Sequence, residues 1–303
     1  MTPGDGPILV VTGAEGYIGS EVVRIALARG ARVHALSRRP PPDREFSLRR
    51  FRYDLAEPLA DEPFVGATAV IHLAIDNTSS TDTPDGDVNT AGTARLLDAA
   101  RRNGVSRFVF VSSQSAASRA TSVYARSKAE SEALMTGEGD VIVRPGLVYG
   151  GSEVGLYGLL CAFIKKTSLL PVPRSQAPVQ PIHVDDLATA LVQIAIGNDE
   201  GLRLYQLGAQ HPVTFATYLV GIARYRLGRR LIVIPLPIFP ILALTKLLGS
   251  RSRFFGMLSE RLAGLTALAP MDSHNSLTAL GLTLRGFEAA LQRDAAAAHE
   301  RQQ

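Results

Sequence analysis

A doubly wound, parallel α/β sheet is the architecture that this 303-residue chain predicts. Two patterns carry the expectation. Short β-branched runs alternate with longer stretches of helical periodicity through the first two-thirds of the chain, which places helices on both faces of one sheet. The runs are apolar at successive positions, as strands are when both faces are covered.

Taken in order, the first run is ILVVT at 8–12, followed by a glycine-rich turn and a helical pattern from Tyr17 to Arg29 that closes at Gly30. ARVHAL at 31–36 and AVIHLA at 69–74 read as strands, and a helix from Gly86 to Arg102 closes at Gly104. RFVFVSS at 107–113 leads to a helix over Thr121 to Thr136, and DVIVRP at 140–145 ends the regular part. Beyond Pro145 the alternation loosens into short strands and helices near 215–227, 238–248, 256–268 and 285–298. No repeat or low-complexity linker separates the parts. The expected division is a sheet domain over 1–146, to which 184–206 returns, and a smaller, interleaved C-terminal region over 147–183 and 207–303 that takes the substrate.

Composition excludes several classes. Hydrophobic residues at 46% and charged residues at 20% are ordinary globular usage, so the chain should fold throughout. The net charge of +4 comes from arginines in pairs, as at Arg38-Arg39, Arg49-Arg50, Arg101-Arg102 and Arg229-Arg230, without a basic run interleaved with aromatics. That argues against nucleic acid and for a small anionic ligand. The single cysteine, Cys161, forms no internal disulfide and fits a reducing compartment. MTPGDGP at the start lacks the features of a signal peptide, and a cytoplasmic enzyme is expected. The most apolar stretch, LIVIPLPIFPILAL at 231–244, is broken by Pro235, Pro237 and Pro240 and falls short of the roughly 20 residues of a membrane span. It reads as a buried strand entering a helix; surface attachment to a membrane is the alternative, and an oligomer contact such as a homodimer is another use for the apolar C-terminal third.

The turn VVTGAEGYIGS at 10–20 sets Gly13, Gly16 and Gly19 between a strand and a helix. Glycine there permits a tight turn and lets the helix N-terminus approach a pyrophosphate, the arrangement of a Rossmann-type dinucleotide site. The competing reading is close helix-to-sheet packing alone. Further on, SVYARSKAE at 122–130 puts Tyr124 and Lys128 one turn apart on one helix face. A free tyrosine titrates near 10, and a neighbouring ammonium favours its phenolate, which suits proton transfer to or from a substrate hydroxyl. Such chemistry needs a donor that fixes the substrate oxygen, and the hydroxyls closing FVFVSSQSA lie at the carboxyl end of a strand, where ligands bind in this architecture.

These motifs occur in one order along nearly the whole chain: TGxxGxxG at 12–19, YDL at 53–55, VIHLA at 70–74, VNTAGTARLLDAA at 88–100, RFVFVSS, YxxxK at 124–128, VRPGLVYG at 143–150 and QPIHVDDLATAL at 180–191. Together they resemble the extended branch of the short-chain dehydrogenase/reductase family, of the NAD(P)-dependent epimerase/dehydratase type. The resemblance implies that Ser113, with Ser112 and Ser115 as lesser candidates, acts with Tyr124 and Lys128 in catalysis. It implies cofactor contacts from Gly13, Gly16, Tyr17, Ile18 and Gly19, from Asp54 and Leu55 at the adenine, and from Leu73 and Ala74 at the ribose and phosphates. Tyr124, Lys128, Pro145, Gly146 and Val148 would border the nicotinamide. Asn89 would either organise the site or bond neighbouring backbone.

Cofactor choice turns on the second strand, which ends in Ser37, Arg38 and Arg39 with no carboxylate before Asp43. An arginine there accommodates the 2′-phosphate, so NADP is favoured over NAD. Two departures bear on substrate. Ser113 and Tyr124 are closer in sequence than in most sugar-nucleotide members, and Leu147 stands where many of those carry a diphosphate-binding asparagine, although Arg174 or Arg203 could meet the same phosphates. His183, Asp185 and Asp186 read as a strand end and a helix start capped by aspartate, not as a metal cluster. The other histidines, His34, His72, His211, His274 and His299, have no ligand spacing, so no metal is expected. The activity implied is hydride transfer between a nicotinamide and a secondary alcohol or ketone, as an epimerase, a dehydratase or a reductase of hydroxysteroid type. The C-terminal third also resembles an accessory subunit of respiratory complex I, which leaves a non-catalytic NADPH-binding scaffold as a second reading.

Overall fold

The structure, a computed structural model, describes residues 6–41, 47–76, 87–117, 122–174, 177–197, 201–237 and 268–300. The strands in chain order are β1 (Ile8–Thr12), β2 (Arg32–Ser37), β3 (Leu48–Arg52), β4 (Ala69–His72), β5 (Arg107–Val111) and β6 (Asp140–Pro145). They continue with β7 (Leu147–Tyr149), β8 (Leu169–Pro173), β9 (Pro181–His183), β10 (Leu204–Leu207) and β11 (Ile232–Leu236). The helices are α1 (Tyr17–Ala28), α2 (Val88–Arg102), α3 (Val123–Glu132), α4 (Gly155–Lys166), α5 (Val184–Ala195), α6 (Phe215–Gly221), α7 (His274–Ala279) and α8 (Phe287–Glu300).

Seven strands form one parallel sheet in the order β10-β6-β5-β4-β1-β2-β3. Its strands are apolar on both sides because both sides are covered. Leu9 and Val11 of β1 pack with Val22 and Ala26 of α1 and with Leu187 and Leu191 of α5. Ile8 and Val10 point the other way, toward Leu96 and Leu97 of α2. The chain runs outward from β1 through β2 to β3, then returns to β4 on the other side of β1. That reversal opens a crevice at the carboxyl ends of β1 and β4, where doubly wound sheets bind ligands.

Strand β3 is not among the sequence-predicted strands. Its arginines, Arg49, Arg50 and Arg52, hide the strand pattern, and they suit an edge that must not pair with another chain. Strand β10, LYQL, is too short to show a period, yet it extends the sheet beside β6. The predicted helix at 215–227 is α6 followed by a π-helical turn, Ile222–Arg226, and the one at 285–298 is α8. The helices expected at 238–248 and 256–268 fall outside the described residues, apart from Leu268.

Two small parallel pairs, β7 with β9 and β8 with β11, stand outside the central sheet. The second corrects the expectation of a buried strand within 231–244: Ile232, Ile234 and Leu236 of β11 are exposed. Apolar composition suggested burial, but a two-stranded ribbon beside the main sheet has only one face to pack. No helix among the described residues is long and apolar enough to cross a membrane.

Candidate active site

A cleft of about 1050 Å³ follows the carboxyl ends of the sheet. At one end it is lined by Gly13, Gly16, Tyr17, Ile18 and Gly19 from the β1–α1 turn and by Ser37, Arg38 and Arg39 after β2. Asp54 and Leu55 follow β3 in the wall, and Leu73 and Ala74 follow β4. Ser113, Tyr124, Lys128, Pro145, Gly146 and Val148 line the remainder. Every side chain and turn singled out in sequence for catalysis or cofactor contact therefore borders one space.

The glycine turn owes its shape to close approach. Gly13 has φ +66, and a Cβ there would stand 3.0 Å from Ala74 N. A Cβ on Gly19 would reach within 2.1 Å of Gly13 O, so α1 can enter the turn only without one. The N-cap of α1 is Gly16, with no side-chain cap and no acid in the first turn. Its amide groups and the positive end of the helix dipole are thus left to an anion.

Thr12 fixes the neighbouring strand end. Its hydroxyl accepts from Leu73 N and Ala74 N, each at 3.1 Å, and lies 2.7 Å from His72 Nδ1. With both amides donating to the oxygen, the single hydroxyl proton goes to Nδ1, and His72 is left with its proton on Nε2, 3.0 Å from Thr93 Oγ1. Burial, aided by the Lys128 charge, pushes the imidazole down to about 3, so it stays neutral. The chain of bonds ties β1, β4 and α2 together beneath the cleft.

Asn89 holds the segment that follows β4, accepting from Asp76 N at 2.7 Å and donating to Asp76 O at 3.1 Å. Of the two readings open in sequence, this is the bond to backbone, and the backbone in question lines the cleft. Asp54 lines the cleft and accepts from Ala56 N at 2.9 Å as a turn residue.

Beyond β5, Ser113 Oγ lies 3.0 Å from Ser115 Oγ and accepts from Ser115 N at 3.2 Å, so it closes the turn after the strand while Ser113 borders the cleft. The Ser112 hydroxyl is buried in the same wall with no partner among the described residues. Helix α3 starts at Ser122, whose hydroxyl accepts from Ala125 N at 3.2 Å. Tyr124, half-buried on the cleft, lies in the first turn of α3, and Lys128, which is buried, follows one turn later. The Lys128 ammonium donates to Val111 O at 2.7 Å and sits 4.8 Å from the centre of the Phe110 ring. Burial lowers it from 10.5 to about 8, against the upward pull of Glu132 and Asp87.

Asp87 links this helix to α2. Its carboxylate caps α2 by accepting from Thr90 N at 3.1 Å, and it also accepts from Ser127 Oγ at 2.5 Å. These hydrogen bonds outweigh its partial burial and hold its carboxyl below the usual range. Asp87 is not among the residues singled out in sequence; the D-x-x-T spacing with Thr90 is the signal that could have marked it as a helix cap, and its bond to α3 needs the fold.

The far wall is tied to the C-terminal region. Tyr17 donates its hydroxyl to Gly150 O at 2.8 Å and stacks on Tyr157. Gln114, next to Ser113, donates to Pro178 O at 3.0 Å and to Ala269 O at 2.8 Å, which brings the Leu268 segment to the cleft. His183, not an aspartate, caps α5: its Nδ1 accepts from Asp185 N at 3.2 Å. Asp185 and Asp186 instead bind Arg285, and Asp185 also binds Arg24. Among the described residues no group of three or more His, Cys, Asp or Glu side chains could hold a metal ion.

The model of the NAD dependent epimerase/dehydratase family matches residues 9–208, the span that supplies this cleft's lining apart from Leu268. The chain belongs to that family. Among curated relatives, a ceramide reductase of Caulobacter vibrioides is 34% identical over 61% of this chain and 60% of the enzyme. A dTDP-glucose 4,6-dehydratase of Streptomyces griseus is 36% identical over 34% of this chain and 37% of that enzyme. The chain thus matches less than two-thirds of either relative. A solved structure of MoeE5 with UDP-glucose and NAD superposes with a TM-score of 0.69 at 22% identity, over 98% of this chain and 100% of that one, and shares the fold.

The residues of this family member fit a nicotinamide dinucleotide. The glycine cradle has no room for a Cβ, α1 presents uncapped amides, and Ser37, Tyr53 and Ser112, whose buried hydroxyls have no partner among the described residues, line the cleft. Tyr53 opens the YDL run and Gln114 follows the serine pair, but neither was singled out in sequence as a site residue; their places in the wall come from the structure.

Proposed function

We propose that this family member is an NADP(H)-dependent oxidoreductase that moves hydride between the nicotinamide and a secondary alcohol or ketone on a largely apolar substrate. The observation that carries the reading is the meeting of Ser113, Tyr124 and Lys128 in one cleft with an uncapped glycine turn. In this reading the sheet domain, residues 1–146 with 184–206, holds the dinucleotide, and 147–183 with 207–303 shapes the substrate end.

The α1 amides would receive the pyrophosphate, Asp54 and Leu55 the adenine, and Leu73 and Ala74 the ribose and phosphates. Arg38 and Arg39, exposed at the cleft beyond β2, support NADP over NAD because a guanidinium pairs with the 2′-phosphate. When bound, the cofactor supplies or accepts the hydride. Ser113 orients the substrate oxygen, and Tyr124 gives that oxygen a proton in reduction or takes one in oxidation. Lys128, one turn along α3 from Tyr124, donates to Val111 O and so holds α3 against the end of β5. Pro145, Gly146 and Val148 would border the nicotinamide.

The substrate end is walled by Leu147, Leu156, Tyr157 and Leu268. That wall, with leucine in place of a diphosphate-binding asparagine, favours a ketone reductase over a sugar-nucleotide epimerase or dehydratase. The similarity to a ceramide reductase supports the same choice.

The test follows NADPH absorbance against long-chain ketones and, separately, nucleotide sugars, in wild type and Tyr124→Phe. The variant should bind NADPH normally and turn over about 10²- to 10⁴-fold more slowly, the usual worth of a positioned acid or base. Equal turnover in the variant overturns the mechanism, and NADPH binding with no turnover of any substrate points to a scaffold. A preference for NADH that survives Arg38→Ala overturns the cofactor assignment.

A further inference from the structure

The surface around β8 and β11 lies apart from the cleft residues and has a charge pattern of its own. From Val154 to Val184, and again from Gly201 to Ser259, the sequence contains no aspartate or glutamate. Within the described part of those stretches, β11 exposes Ile232, Ile234 and Leu236 at alternate positions, the period of one strand face. Leu169, 51% exposed, pairs across the ladder with Ile232, 63% exposed, and the exposed Pro171 pairs with Ile234.

Cations frame this strip. Lys166 ends α4 just before β8, and Arg229 and Arg230 lead into β11. At the other end Arg174 donates its backbone amide to Leu236 O at 2.7 Å. All four side chains belong to exposed residues. Glu153, just before α4, is paired with Lys165 and Arg226, and Glu288 of α8 is bonded to Tyr225.

We propose that this strip is a docking surface for an anionic lipid bilayer. Apolar side chains on one face, framed by lysine and arginine, are what an interfacial element needs to enter the headgroup region while its cations meet lipid phosphates. A second copy of the chain is the poorer occupant, because a two-fold contact would bring each arginine pair against the other's cationic frame. The twelve-residue helix α4, about 18 Å long, joins this face to the cleft, since Gly155, Leu156 and Tyr157 at its start line the cleft and Lys166 at its end borders the strip. Docking stands on the surface itself and not on the reaction proposed above.

The experiment is sedimentation of the full chain with phosphatidylcholine vesicles, with and without phosphatidylglycerol. Binding should require phosphatidylglycerol and be reversed by salt. The paired substitutions Ile232→Ser with Ile234→Ser, and Arg229→Glu with Arg230→Glu, should each weaken it at least ~tenfold while NADPH binding is retained. The chain contains no tryptophan, so Ile234→Trp places a single emitter in the strip, and its fluorescence should shift to the blue with anionic vesicles alone. Absence of sedimentation, or sedimentation unchanged in both paired variants with no spectral shift, overturns the proposal. A solution dimer dissolved by the same substitutions, without vesicle binding, assigns the face to a second copy and also overturns it.

Discussion

Replacing Lys128 with methionine isolates the energetics of the buried ammonium. The side chain is buried, and its ammonium is lowered from 10.5 to about 8, chiefly by desolvation. Keeping the charge inside the folded chain at pH 7 therefore costs about 3 kcal/mol relative to the unfolded chain, at about 1.4 kcal/mol for each tenfold change in proton affinity. Between pH 8 and 10.5 the unfolded chain still binds a proton that the native chain has released. The contribution of Lys128 to stability thus rises with pH across that window and is lost as pH falls through about 8. Methionine removes this dependence. The bond to Val111 O also goes, but that loss is nearly constant with pH because a neutral amine still donates. Urea unfolding of the ligand-free proteins at pH 7, 9 and 10.5 should show the stability difference, wild type minus variant, moving about 3 kcal/mol in favour of wild type as pH rises. A difference that does not change with pH would refute the account of Lys128 as a desolvated cation.

Other consequences follow from the same geometry. Gly19→Ala forces a Cβ to 2.1 Å from Gly13 O, and should cost about 1 to 3 kcal/mol of stability and weaken NADPH binding at least tenfold in a fluorescence titration. His72 is buried neutral with its imidazole held near 3, so wild-type stability should fall by up to ~4 to 5 kcal/mol as pH drops from 6.5 toward 3, and His72→Gln should flatten that slope in urea unfolding at pH 4.5 and 7. Asp87→Asn keeps the helix cap and an acceptor for Ser127 but removes a charge that helps keep Lys128 protonated; the alkaline limb of kcat should move to lower pH, and an unmoved limb would confine Asp87 to a structural role.

Much of the site was legible before the fold because its backbone parts are local. The glycine turn must lie between adjacent strand and helix, and Tyr124 and Lys128 share a face through helical periodicity alone. His183 and Asp87 were harder. The aspartates at 185 and 186 announced a helix start, yet the residue that caps α5 is the histidine, and Asp87 was passed over, its partner beyond α2 being Ser127 on another helix. The arginine-rich edge β3 escaped because an edge strand need not alternate, and the exposed face of β11 was misread because composition reports apolarity and not what covers it.

Residue order alone was enough for the parallel α/β class, the dinucleotide turn and the YxxxK pair, since each follows from interactions within a few residues or one helical turn. The tertiary structure decided which distant groups met: Thr12 with His72, Gln114 with Ala269, and Lys128 with Val111 O. Those contacts depend on how strands far apart in sequence are ordered in the sheet, and burial there, which no local pattern encodes, set the proton affinities of His72 and Lys128.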